Sequence, residues 1–366
     1  MPAASSSERR EQLWSSCERF LSGHGPRRIP SELVALAQAA PPDQRSDRYG
    51  SGGVLEQLEQ ELCQRFAKPA ALFLPSGTMA QQIALRIHAE RAGRRTVAFH
   101  PTCHLELHEQ RGYSRLHGLD ACLVGPRTRL IARTDLEALV EPIAALLLEL
   151  PQREIGGQLP SWQELCDQCA WARDHGVALH LDGARLWESL PFYGRSLPEV
   201  AALFDSIYVS FYKTLGAIAG AALLGDAPFI AEARVWQRRH GGNLVSMYPF
   251  ALSARQCLEQ RLGKIPGYVA HAQQIAGRLA LLPGVRVVPD PPCTNLFHVQ
   301  LPCSGERLVD ASLAIAEARK IAFVLRARDC EMAGYCVVEL AIGDAASALT
   351  LDEIETGFRE LLERAR

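Results

Sequence analysis

The strongest constraint on this chain is a succession of short runs that are apolar throughout, most of them followed by a helical stretch or a Gly/Pro turn. They are ALFLP (71–75), TVAF (96–99), ACLVG (121–125), AALLLEL (144–150), VALHLD (177–182), SIYVSF (206–211) and GAALLG (220–225). A strand with one wet face alternates apolar and polar residues, so runs without alternation suit a sheet covered on both faces. VLEQLEQELCQRF (54–66) and MAQQIALRIHAER (79–91) carry helical period between such runs. Alternation of strand and helix in this order predicts an α/β fold with a mostly parallel, doubly wound sheet.

The texture changes after about residue 255. A long helical stretch (251–281) precedes VRVVP (285–289) and NLFHVQL (295–301). A helix (306–319), the strand CVVELAI (336–342) and a last helix (351–365) follow. The expected division is an N-terminal helical arm over 1–45, a large domain over 46–255 and a smaller C-terminal α+β domain over 256–366.

Composition narrows the function classes. A net charge of -2 gives no global bias toward nucleic acid or an anionic membrane. No apolar run reaches the roughly 20 residues of a membrane span, and MPAASSSERREQLW lacks the apolar core of a signal peptide. Eleven scattered cysteines in a large chain read as reduced thiols, and a cytoplasmic location is expected. Cys166 and Cys169 form a single CxxC without a second pair at zinc spacing, so no metal site is expected. There are four lysines (Lys68, Lys213, Lys264, Lys320) against 35 arginines, which makes each lysine a better candidate for chemistry that needs an amine.

In an open α/β sheet, ligands sit beyond the carboxyl ends of strands, and three segments there could carry chemistry. Ser76-Gly77-Thr78 joins a strand to a helix, where backbone N–H groups and hydroxyls can cradle a phosphate. An ordinary helix-capping turn would use the same residues. Asp182, ending VALHLD, could keep a pyridine nitrogen protonated by charge pairing. Lys213, just past SIYVSF and flanked by Tyr212 and Leu215, could form an imine with an aldehyde cofactor. His100, His104 and His108 are spaced so that, on a helix starting at Pro101, they would share one face. They could then be metal ligands or a packed or solvated face.

Taken together, these stretches resemble the threonine aldolase and β-eliminating lyase group of fold-type-I pyridoxal-phosphate enzymes. The resemblance runs through YGSGG (49–53), LFLPSGTMAQQIAL (72–85), HPTCHLELHE (100–109), LLLELPQREIGGQLP (146–160), HGVALHLDGARLWES (175–189), DSIYVSFYKTLGAIAGAALLG (205–225), ARVWQRRHGG (233–242) and Thr294-Asn295-Leu296-Phe297. It implies a transferase-like large domain binding pyridoxal 5'-phosphate. Ser76, Gly77 and Thr78 would lie at the phosphate, His104 on the ring, and Asp182 at the ring nitrogen. Arg185 would sit near the phenolic oxygen or the substrate carboxylate, and Lys213 would be the Schiff-base lysine. It further implies an amino-acid-like substrate and a homodimer or homotetramer. The activity implied is cleavage of a β-hydroxy-α-amino acid to glycine and an aldehyde. β-Elimination, racemisation, transamination or a non-catalytic homologue are the alternatives.

The departures from the family fall on the substrate side. Its opening Arg-Ser-Asp strand is read as absent before Tyr49, with a helical extension in its place. Its Glu-Asn-Thr-His-Asn stretch reads Glu149-Leu150-Pro151-Gln152-Arg153, so Gln152 stands where a histidine is usual. The small-domain arginine falls at about Glu339, and the Met-Arg-Gln of a Gly-rich segment reads Asn243-Leu244-Val245 after Gly242. Arg326 and Arg328 are the candidates to replace the missing carboxylate partner.

Overall fold

The computed structural model describes residues 6–366, with side chains from Arg10 onward. The chain packs as two compact units. The larger comprises Glu32–Ile155 and Leu159–Gly263. The smaller gathers the segment up to Ser31, Gly156–Gln158 and Lys264–Arg366.

The larger unit is built on seven strands: β1 (Ala70–Leu74), β2 (Thr96–Phe99), β3 (Asp120–Leu123), β4 (Ala145–Glu149), β5 (Ala178–Gly183), β6 (Ser206–Ser210) and β7 (Ala221–Gly225). Their order in the sheet is β1-β7-β6-β5-β4-β2-β3. β3, β2, β4, β5 and β6 run parallel, whereas β7 is antiparallel to both β6 and β1. The fold is thus the mostly parallel α/β sheet that the apolar runs imply. The reversal at β7 has a simple cause: the link from Ser210 to Ala221 is too short for a crossover helix, so the chain folds straight back. That link carries Lys213.

Helices α1 (Gly53–Phe66), α2 (Gly77–Ala92), α3 (Trp162–Asp174), α4 (Ala227–Arg239) and α5 (Tyr248–Arg261) belong to this unit. α2 is the central one. Its Ala80, Ile83, Ala84 and Ile87 pack with Leu72, Leu74, Tyr208 and Phe229. Its Leu85 and Ala89 join a second cluster with Val97, Phe99 and Tyr113. A helix covered on several sides cannot leave a polar side chain to water, so its buried Gln81, Gln82 and His88 must find partners inside.

The smaller unit has a four-stranded antiparallel sheet. Arg328–Asp329 and Arg286–Val288 form its edges, and Cys336–Ala341 and Leu296–Leu301 its centre. α6 (Ile265–Ala280), α7 (Gly305–Arg319) and α8 (Leu351–Ala365) complete its core with Phe297, Leu308, Ile315, Phe323 and Phe358. The opening segment is not wholly helical: Arg19–Phe20 is a short strand parallel to Ile321–Ala322. Arg326 and Arg328 are both exposed in this unit. Among the described residues, no helix is long and apolar enough to cross a membrane.

Two sequence readings need correction. An Arg-Ser-Asp tripeptide does stand before the Tyr49 run, as Arg45-Ser46-Asp47, separated from it by Arg48 alone. Asp47 is buried, and its carboxylate accepts the backbone N–H groups of Met247 and Tyr248 at 2.8–2.9 Å, where α5 begins. The helix expected from Pro101 starts instead at His104 and spans only His104–Leu107, so His100, His104 and His108 share no helix face.

Candidate active site

The site gathers in the larger unit, beyond the carboxyl ends of β4, β5 and β6. Asp182 is the second-last residue of β5 and is only 2% exposed. Its Oδ1 accepts the Ala184 N–H at 3.0 Å, and its Oδ2 accepts from Gln81 Nε2 at 2.5 Å. Burial pushes this carboxyl up, against the pull of Ala184, Gln81, His104 and Lys213. Gly183 follows because β6 runs so close that a Cβ there would stand 2.6 Å from the Tyr208 carbonyl oxygen.

Lys213 follows β6 by three residues and is half-buried, with its Nζ 5.6 Å from the centre of the Tyr212 ring. Burial and the Arg185 guanidinium lower its pKa, while Asp182 and Glu149 pull it back. A lysine shifted this way keeps more of its amine neutral and nucleophilic, as addition to an aldehyde requires.

Ser76 caps α2, its hydroxyl accepting the Met79 N–H at 3.3 Å. Gly77 is required by packing: a Cβ would come 2.0 Å from the Tyr208 hydroxyl oxygen. The first N–H groups of α2 therefore stand in front of Tyr208, with the exposed Thr78 beside them. This is a helix terminus able to receive an anion.

His104 is held by Glu109, with Nδ1 to Oε1 at 2.9 Å. The other Glu109 oxygen accepts from Gln82 Nε2 at 3.0 Å. A carboxylate only accepts, so His104 carries its hydrogen on Nδ1 and presents Nε2 as the basic nitrogen. His100 serves another purpose. Its Nδ1 accepts the Thr102 N–H, and its Nε2 donates to the carbonyls of Pro126 and Arg129, pinning a loop. Among the described residues no cluster of three His, Cys, Asp or Glu side chains could hold a metal ion, and all eleven cysteines are free thiols.

Glu149 ends β4 directly beside Asp182 in the parallel register. Its carboxylate accepts from Gln152 Nε2 at 3.0 Å and from the Arg153 N–H at 3.1 Å. The residue keeps some accessible surface, but the packed surroundings of its carboxyl, and then the neighbouring Asp182 charge, push it up to about 8. The folded state therefore holds this proton more tightly than the unfolded chain. In the protein without cofactor, stability should fall as pH rises from about 4.5 to about 8. The buried imidazoles of His88, His117 and His180 act on the other flank, held near 4, 4 and 3. Unfolding lets them protonate, so stability should also fall below pH 6.5. Thermal melts of Glu149→Gln should show a shallower alkaline decline, with the Asp182 contribution remaining, and an unaltered acidic one; an unchanged alkaline slope would clear Glu149 of this role.

Sequence reasoning missed four contributors: Gln81, Gln82, Glu109 and Tyr208. The available signal was a pair of adjacent amides among apolar neighbours in MAQQIAL, side chains that a buried helix must satisfy internally.

A family model for beta-eliminating lyases matches residues 31–302. The chain belongs to the beta-eliminating lyase family. It is a pyridoxal-phosphate-dependent lyase of threonine aldolase-like type with the type I fold. Among solved structures it is similar to a Listeria monocytogenes protein proposed to be an L-allo-threonine aldolase. The identity is 41% and the TM-score 0.92, covering 97% of this chain and 99% of the other. Among curated lyases it is 31% identical to aldolase vrtJ of Penicillium aethiopicum, over 76% of this chain and 74% of that protein. It is 28% identical to low-specificity L-threonine aldolase 1 of Arabidopsis thaliana, over 73% of this chain and 77% of that protein. In this family member Gln152, not a histidine, faces Glu149.

Proposed function

We propose that this lyase cleaves the Cα–Cβ bond of a β-hydroxy-α-amino acid, releasing glycine and an aldehyde. The observation carrying the reading is the pairing of a half-buried, easily neutralised Lys213 with a buried, doubly anchored Asp182 at adjacent strand ends. That donor set fits pyridoxal 5'-phosphate. Lys213 would take its aldehyde, Asp182 its ring nitrogen, the start of α2 at Gly77 and Thr78 its phosphate, and His104 a ring face, with Arg185 near its phenolic oxygen. When bound, the cofactor supplies an electron sink for the carbanion left at Cα.

The chain's own residues manage protons and orientation. Asp182 would keep the ring nitrogen protonated, because burying a carboxylate without a cation costs several kcal/mol. An amide is no general base near neutral pH, so Gln152 can hydrogen-bond the β-hydroxyl but cannot deprotonate it. His104 Nε2, left bare by the Glu109 bond to Nδ1, is the base this chain offers for that proton. Lys213, with its lowered pKa, would return a proton to Cα before glycine leaves. A homo-oligomer and a cytoplasmic setting accord with this reading.

The test is product analysis on the cofactor-loaded protein with L-threonine, L-allo-threonine and bulkier β-hydroxy amino acids. Glycine and the matching aldehyde should form in equal amounts. Release of ammonia with a keto acid would replace the reading with β-elimination, and cofactor binding without turnover of any amino acid would remove the lyase assignment of this site.

A further inference from the structure

Behind Asp182 a line of buried polar side chains continues away from the site. Gln81 Nε2 donates to Asp182, and Gln81 Oε1 lies 3.3 Å from His180 Nε2. His180 Nδ1 is 2.7 Å from Ser206 Oγ, and Ser206 Oγ is 2.7 Å from His88 Nε2. Gln81 is 1%, His180 0%, Ser206 0% and His88 5% exposed, so water cannot substitute for any link. His180 and Asp182 are two apart on β5 and point to one face. Ser206 is the register partner of His180 on β6. Gln81 and His88 are seven apart on α2, two turns along one side.

The direction of every hydrogen in the line follows from its end. An ionised Asp182 only accepts, which turns the Gln81 NH₂ toward it and leaves Gln81 Oε1 facing His180. That oxygen only accepts, so His180 carries its hydrogen on Nε2. Burial holds His180 neutral, near 3, so its Nδ1 is bare and takes the Ser206 hydroxyl hydrogen. Ser206 Oγ then accepts from His88 Nε2. All four donors point the same way, toward the carboxylate.

We infer that His88, Ser206 and His180 are positioning residues: a one-directional buried hydrogen-bond chain that, through Gln81, orients and polarises the Asp182 carboxylate for the ring nitrogen of the cofactor. The inference rests on the cofactor assignment above. Such chains strengthen each member in a low-dielectric interior, and reversing one link reverses those beyond it. His88 touches nothing in the site, yet it supplies the hydrogen that fixes the Ser206 rotor.

Two measurements test this. The first needs no cofactor: nitrogen-15 spectra of the histidine-labelled protein should show both His88 and His180 neutral with hydrogen on Nε2. Hydrogen on His180 Nδ1, or a charged His180 at neutral pH, would overturn the chain. The second compares binding of pyridoxal 5'-phosphate with binding of its analogue in which C–H replaces the ring nitrogen. Wild-type protein should prefer the natural cofactor. His88→Leu should erase about tenfold of that preference, the scale of one buried hydrogen bond, and His88→Gln, which keeps an N–H donor, should restore much of it. Equal loss for cofactor and analogue would reduce His88 to a packing role and overturn the inference. Absence of any preference in the wild-type protein would instead overturn the assignment of Asp182 to the ring nitrogen, and the inference with it.

Discussion

Lys213→Ala is expected to lower turnover by about 10³-fold or more and to leave no cofactor that borohydride can fix to the protein. The other three lysines stand elsewhere, two of them paired. Lys68 Nζ donates to the Phe204 carbonyl at 2.6 Å, and Lys264 pairs with Asp344 at 3.0 Å. Lys320 closes α7 in the left-handed conformation and is exposed. Peptide mass mapping after borohydride treatment reads the result directly. A label on any other lysine, or one that survives in Lys213→Ala, would refute the assignment. The protein itself should fold normally, because burial already disfavours the charge that the substitution removes.

Asp182→Asn separates stability from chemistry. The amide keeps the shape of the side chain but cannot pair with a protonated ring nitrogen, so turnover should fall by about 10²-fold or more. Cofactor-free protein should move the opposite way. The Asp182 carboxyl is raised by burial, so the folded state binds its proton more tightly than the unfolded chain does, and ionisation costs stability as pH rises above the ordinary carboxylate range. The variant should therefore melt at a higher temperature than the parent near pH 8. A strained, costly group retained at a functional site is the usual form of the trade between stability and activity. A lower melting temperature at pH 8 would show that Gln81 and Ala184 already compensate the charge and that the carboxylate serves the fold.

The extent to which the site was legible differs from residue to residue. Asp182 and Lys213 could be placed from sequence because each stands at or just past the end of a mostly apolar run, and strand ends are where this sheet class binds ligands. Gly77 could be placed in a strand-to-helix turn, and the structure adds that the Tyr208 hydroxyl leaves no room for a Cβ there. The Ser76 hydroxyl caps α2, a use that the sequence left open beside phosphate binding. The three spaced histidines suggested one face of a helix. His100 instead pins a loop, and His104 is turned by Glu109, five residues later in the chain.

Local pattern by itself determined the strands, the order of strand and helix, and the two strand-end residues, because burial on both faces and chain periodicity are written in consecutive residues. Only the tertiary structure decided the reversal of β7, the pairing of Glu149 with Asp182, and the line from Gln81 to His88. Those depend on which distant residues share a register or a helix side. A buried polar atom selects its partner by proximity in space, and proximity between residues 81, 182 and 206 is a property of the closed sheet, not of any segment within it.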